Sequence, residues 1–111
     1  MGESAAVQYL TRSGMRLLEN NYRIVGGEID LILQDGETLV FAEVKTRLRG
    51  NRQSAEAAVT PAQRQRIERA ARHYLGTHPQ WMAHVIRFDV VLPLPGNTVH
   101  IRDAFRGSEW M

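Results

Sequence analysis

Three carboxylates and one lysine stand close together in the stretch GEIDLILQDGETLVFAEVKTR, residues 27–47: Glu28, Asp30, Glu43 and Lys45. Carboxylates that approach one another repel, and the conflict sharpens as water is withdrawn from them. A divalent cation relieves it, because carboxylate oxygens are the ligands magnesium takes, with water and phosphate oxygens completing its shell. A lysine beside such a site can orient or deprotonate a water, since a buried ammonium gives up its proton far more readily than a guanidinium. Lys45 is the only lysine among 14 basic residues, the others all being arginine.

Whether these groups meet depends on the strands that carry them. Two apolar runs, 28–34 and 38–46, flank the tight-turn signal Asp35-Gly36 and predict an antiparallel hairpin. Side chains alternate across a strand, so a turn of even length puts Ile29, Leu31, Leu33, Val40, Ala42 and Val44 on one apolar face. Glu28, Asp30, Ile32, Leu39, Phe41, Glu43 and Lys45 then share the other face, apolar near the turn and charged away from it. Asp30 and Glu43 fall opposite or diagonal to one another, within reach. Val44, between Glu43 and Lys45, turns its side chain away while its carbonyl is a candidate third metal ligand. From spacing alone the pattern reads equally as cross-strand salt bridging at an exposed sheet end, which contributes little.

The first helix is predicted from Glu3 to about Ser13, with Ala6, Val7 and Leu10 on one stripe and Gly14 as its stop. Glu3 lies on that stripe, either favouring the helix N-terminus or reaching toward the acidic cluster. Residues 15–25 (MRLLENNYRIV) are expected to form a strand before the hairpin, with a prolonged first helix through Leu17, Leu18 and Glu19 as the alternative. Thr60-Pro61-Ala62-Gln63 has the cap, proline and glutamine of a helix start. That helix is expected to run to about Leu75 on the stripe Ile67, Ala70, Ala71, Tyr74, Leu75, and to end at Gly76. VIRFDVVL (85–92) reads as a strand, Pro95-Gly96-Asn97 as a turn, and 99–102 as a last short strand. The order of elements predicts an α/β domain whose sheet is covered on both faces, and the length of 111 residues predicts a single domain, 1–111.

Arginines flank this framework. Arg47, Arg49 and Arg52 follow the hairpin directly, and Arg64, Arg66, Arg69 and Arg72 lie on or beside the polar face of the second helix. Basic residues along a groove neutralise phosphates without regard to sequence; the helical set reads equally as a solvated face. The overall balance is mild, a formal charge of +2 with a sequence pI of 9.5. The absence of cysteine excludes disulfides and thiolate metal sites. His73, His78, His84 and His100 show no ligand spacing and read as surface or internally satisfied; Trp81 and Trp110 read as core patches or a dimer contact. No glycine-rich phosphate loop or GxSxG elbow occurs, which argues against nucleotide cofactors and serine hydrolysis. No apolar run suits a membrane span, and MGESAAVQYL lacks a basic lead, so a cytoplasmic protein is expected.

GE near the start, then NYR, GEIDLI, LVFAEVKTR, AARHYL, RFDVV and HIRDAF together resemble the YraN family of bacterial proteins. That family is similar in motif layout to the PD-(D/E)xK nuclease superfamily, particularly Holliday junction resolvases. The resemblance spans nearly the whole chain and implies a restriction-endonuclease-like three-layer fold, a mixed central sheet flanked by helices. It implies Asp30 and Glu43 as ligands of Mg2+ (or Mn2+), Lys45 beside the attacking water and Glu3 as an acid from the first helix. DNA is the partner it implies, with a homodimer as in resolvase-type relatives. Ala62-Gln63 depart from the family, which tends to carry basic residues there. Two functions follow as expectations: a Mg2+-dependent endonuclease acting on DNA phosphodiesters, in branched or repair intermediates, or a catalytically weak nucleic-acid-binding or assembly module on the same fold.

Overall fold

The structure, a computed structural model, describes residues 2–46 and 59–106. The basic segment with Arg47, Arg49 and Arg52, and Trp110, lie outside the described residues. The elements are α1 (Gly2–Arg12), β1 (Arg16–Ile24), β2 (Gly27–Asp35), β3 (Thr38–Val44), α2 (Pro61–Thr77), a 3-10 turn (Pro79–Trp81), β4 (Val85–Leu92) and β5 (Val99–Phe105).

The five strands form one sheet in sequence order. All neighbours are antiparallel except β3 and β4, which run parallel with α2 in the crossover between them. The β2–β3 hairpin closes on Gly36-Glu37, with Asp35 paired to Thr38 and Gly36 at φ 62. A glycine of positive φ in the first turn position matches the twist of the flanking strands. The even-length turn predicted from alternation is therefore present, and Leu31↔Ala42, Ile32↔Phe41 and Leu33↔Val40 are in register.

Each sheet face has its own core. On one, α1 contributes Ala6 and Leu10 against Leu31, Leu33, Val40, Ala42 and Val91. On the other, α2 contributes Ile67, Ala70, Ala71 and Tyr74 against Ile32, Leu39, Phe41, Phe88 and Val90. The sheet is thus covered by a helix on both faces, as the order of elements predicts. Trp81 belongs to the α2-side core.

Three details differ from the sequence reading. Ile29 packs in the α2-side core rather than with Leu31 and Leu33. The change of face coincides with Asn21, which takes φ 53 between the pairs Asn20↔Leu31 and Tyr22↔Ile29. Asparagine tolerates this left-handed backbone, and one such residue interrupts the pleat on which strict alternation depends. Second, α2 runs past Gly76 to Thr77, and the His78 amide closes it on the Leu75 carbonyl. Gly76 keeps a helical backbone and so does not act as the left-handed stop. Third, β5 continues beyond Arg102 to Phe105, across a register shift that contains Asp103 at φ 54.

Gly27 sets the distance between α2 and the sheet. A Cβ there would lie 2.8 Å from the Arg66 carbonyl oxygen and 2.9 Å from the Ala70 nitrogen. Only glycine admits so close a helix backbone, and the contact seats the first turns of α2 over the start of β2.

Candidate metal and phosphate site

The site forms where β2 and β3 part. Their ladder is continuous from the turn to Leu31↔Ala42 and stops there. β3 continues along β4 instead, with Glu43↔Val90 and Val44↔Val91 in register and the Lys45 amide donating to the Val91 carbonyl at 2.8 Å. The edge of β3 that faces β2 is left without a strand partner at this point. Asp30 fills the gap: its Oδ2 accepts the Val44 amide at 2.8 Å. In an extended strand the amide and carbonyl of one residue project from the same edge, so the Val44 carbonyl is directed toward the Asp30 side.

Glu43 lies beside Asp30 and is mostly buried, with 17% of its side chain exposed. Its carboxyl is pushed up to about 8, first by burial, then by the Asp30 carboxylate and a hydrogen bond with it; Lys45 pulls the other way and Glu28 adds a smaller upward push. At neutral pH, Glu43 therefore holds a proton beside Asp30. Lys45 Nζ is 3.8 Å from Glu43 Oε2, and 16% of the lysine side chain is exposed.

On the α2 side, a cleft of about 120 Å³ is lined by Glu28, Glu43, Gln63, Arg66 and Ile67. Gln63, Arg66 and Ile67 are at i, i+3 and i+4 on α2 and so share the face that meets the sheet. Gln63 also completes the capping box with Thr60, which fixes this end of the helix. Arg66 Nη2 donates to Glu28 Oε1 at 3.0 Å. Glu28, which the sequence placed on the right face without a role, is thus a wall of the cleft.

Of the residues singled out by sequence, Asp30, Glu43, Val44 and Lys45 come together. Glu3 stands half-buried in the first turn of α1, on the opposite side of the sheet, and no hydrogen bond or ion pair joins it to that cluster among the described residues. Arg64 is half-buried with its guanidinium 5.4 Å above the Phe105 ring. Arg69 donates to the Gly26 carbonyl at 3.3 Å. The histidines have protein partners: His73 with the Tyr22 hydroxyl at 2.6 Å, His78 with the Tyr74 carbonyl, His84 with Glu37 and His100 with Asp89.

Could the cluster hold a cation? Among the described residues no three His, Cys, Asp or Glu side chains converge on one point. Two adjacent carboxylates and a strand-edge carbonyl nevertheless suit a hard cation that keeps several waters, which is how magnesium is usually bound. A buried acid holding its proton next to another acid is a pair that a cation would complete. The donor set fits.

Sequence reading missed a second polar cluster. Asp89, fully buried on the α1 side of β4, receives both Nε and Nη2 of Arg87 at 2.9 Å, His100 Nε2 at 2.8 Å and the Asp103 amide at 2.9 Å. Burial alone would raise its carboxyl, but the His100, Arg87 and Asp103 hydrogen bonds outweigh it and hold Asp89 below the usual carboxylate range. Arg87 also donates to Asp35 at 3.1 Å, and Arg102 reaches the same oxygen at 3.2 Å. The available signal was Arg87-x-Asp89 inside an otherwise apolar strand, which puts both side chains on one face.

Residues 2–92 match the family model described as "Uncharacterised protein family UPF0102". Bacterial relatives bear the same family name. The chain is 46% identical over 91 residues to a UPF0102 protein of Herminiimonas arsenicoxydans, covering 82% of this chain and 72% of the relative. A UPF0102 protein of Dechloromonas aromatica is 48% identical over 107 residues, covering 96% and 87%. One from Frankia casuarinae is 42% identical over 109 residues, covering 94% and 92%.

Proposed function

The chain belongs to the uncharacterised protein family UPF0102, and on that premise we propose that it is a Mg2+-dependent endonuclease of PD-(D/E)xK type acting on DNA phosphodiester bonds. The observation that carries the reading is the gap at the end of the β2–β3 ladder, where Asp30, Glu43 and Lys45 stand together and the Val44 amide holds the Asp30 carboxylate. The five-stranded mixed sheet with a helix on each face is compatible with the restriction-endonuclease-like fold we assign to it.

In this reading Asp30, Glu43 and the Val44 carbonyl hold Mg2+ or Mn2+. When bound, the ion supplies Lewis acidity at the phosphate and a water of lowered pKa. The chain's own residues do the rest. The Val44 amide fixes one oxygen of Asp30 and leaves the other for the site. Glu43, whose carboxyl is held up in the metal-free chain, would have to give up its proton to serve as a ligand. Lys45 directs an ammonium at the same spot, where it can orient a water and offset charge gathering on the phosphate. Arg47, Arg49 and Arg52, which follow Lys45 in the chain, are assigned to the nucleic-acid backbone, with Arg64 at the start of α2. We read the protein as cytoplasmic and as a homodimer; no described helix is long and apolar enough to cross a membrane.

The test is cleavage of branched, single-stranded and duplex DNA with Mg2+ or Mn2+. Wild type should cut at least one class, and both Lys45→Ala and Asp30→Asn should abolish it. Cleavage that survives both substitutions sinks the assignment.

A further inference from the structure

An acidic cleft poses a problem for an anionic substrate. Glu28 and Glu43 line the cleft where a phosphate must arrive, and Asp30 stands beside Glu43. Lys45, the nearest ammonium, is already 3.8 Å from Glu43. The arginines of α2 divide their duties: Arg64 lies over Phe105 and Arg69 donates to the Gly26 carbonyl, while Arg66 lines the cleft itself.

Arg66 engages Glu28 through one nitrogen, 3.0 Å from Oε1, with no second partner among the described residues. The guanidinium has five N–H groups in a planar fork that matches two oxygens of a phosphate. A single contact to Glu28 orients the fork and leaves most of it available. The two side chains are 53% and 43% exposed, so their pairing is weak and easily exchanged. Placement is nonetheless well defined, because Gly27 holds the Arg66 backbone against β2 at a distance no side chain could share.

We propose that Arg66 is the residue that grips the substrate phosphate in this cleft, held over it by Glu28. The inference rests on the nuclease reading for its substrate class. It assigns a base-independent contact with the nucleic-acid backbone, at the cleft of about 120 Å³ between α2 and the sheet.

Binding of the full chain to fluorescein-labelled single-stranded and branched DNA, in Ca2+ and over a series of salt concentrations, tests it without requiring turnover. Arg66→Ala should weaken binding about tenfold, the loss of one charge-assisted contact, and should lower the slope of affinity against salt by about one. Arg66→Lys should recover part of the affinity and all of the slope, because it keeps the charge and loses the fork. Arg12→Ala removes the same charge from an exposed position on the other side of the sheet and should change affinity less than twofold. Equal effects from Arg66→Ala and Arg12→Ala, or a wild-type chain that binds neither DNA, would overturn the inference. Failure of the metal reading shows separately, as Mn2+ calorimetry that is blank for wild type or unchanged by Asp30→Asn.

Discussion

Asp30 Oδ2 and the Val44 amide nitrogen stand 2.8 Å apart, so a side chain completes the hydrogen bonding that the main chain of β2 abandons after Leu31. One carboxylate therefore has two duties, capping a strand edge and facing Glu43. The duties separate by substitution. Asp30→Asn keeps an oxygen for the Val44 amide and removes the charge, so stability at neutral pH should hold while Mn2+ binding is lost. Asp30→Ala leaves a part-buried amide unpaired and should cost about 1–3 kcal/mol in denaturant unfolding. Loss of stability in both variants alike would argue against the cap.

Glu43 makes metal binding depend on pH. Its carboxyl titrates near 8 in the folded chain, held up by burial and by Asp30. A cation must displace that proton, so Mn2+ affinity should rise by up to roughly tenfold per pH unit from neutrality and level off above about 8. Calorimetry in buffers of different ionisation enthalpy should register the release of one proton near neutral pH, and Glu43→Gln should abolish the release.

The same shift has a sign for stability. The folded state keeps the Glu43 proton up to about 8, whereas the unfolded chain loses it near 4.5. The native state therefore binds more protons between these values, and Glu43's contribution to stability falls as pH rises through that window, with a slope of at most about 1.4 kcal/mol per pH unit. Chemical denaturation of the metal-free chain across this range should show a shallower decline for Glu43→Gln than for wild type.

Two glycines that look alike in sequence should respond oppositely to alanine. Gly27→Ala drives a methyl into the α2 backbone at 2.8–2.9 Å and should cost about 1–3 kcal/mol. Gly76 sits inside α2 with open space around its Cβ position, so Gly76→Ala should raise stability by about 0.5–1 kcal/mol. Thermal unfolding of the pair provides the check. Metal binding should also weaken in Gly27→Ala, since the α2 wall of the cleft must move.

Period-two alternation pointed to Asp30, Glu43 and Lys45 as neighbours. They do meet, but just beyond the paired stretch that ends at Leu31↔Ala42, where Asp30 reaches the Val44 amide instead of continuing the ladder. The same rule misassigned Ile29, which packs on the α2 side next to the point where the neighbouring strand carries Asn21 in a left-handed backbone, and alternation carries no information about such departures. The Glu28–Arg66 pair was hidden for another reason. Its members are 38 positions apart, and only the close approach at Gly27 makes them neighbours. Asp89 was passed over inside RFDVV, where an apolar run suggests burial but cannot reveal that Arg87, His100 and the Asp103 amide converge on one carboxylate. Local periodicity thus carried the hairpin, and long-range packing decided the walls of the site.

That buried carboxylate should behave as a structural element independent of the acidic cluster. Asp89 lies on the α1 side of the sheet, its oxygens divided among Arg87, His100 and the Asp103 amide. Asp89→Ala would leave Arg87 without its main partner in a place with little water, and removing one member of a buried pair costs about 3–5 kcal/mol. Asp89→Asn should be less severe, since an amide oxygen still accepts from one donor, but its NH2 opposes another. Because hydrogen bonds hold the folded carboxyl below its ordinary 3.8, Asp89 contributes stability above that pH and loses it as pH falls toward the folded value. Acid unfolding of wild type should therefore include a contribution below about 4 that Asp89→Asn lacks. Mn2+ affinity, measured at a temperature where Asp89→Asn remains folded, should match wild type; a large change would mean that the two clusters are coupled through β4.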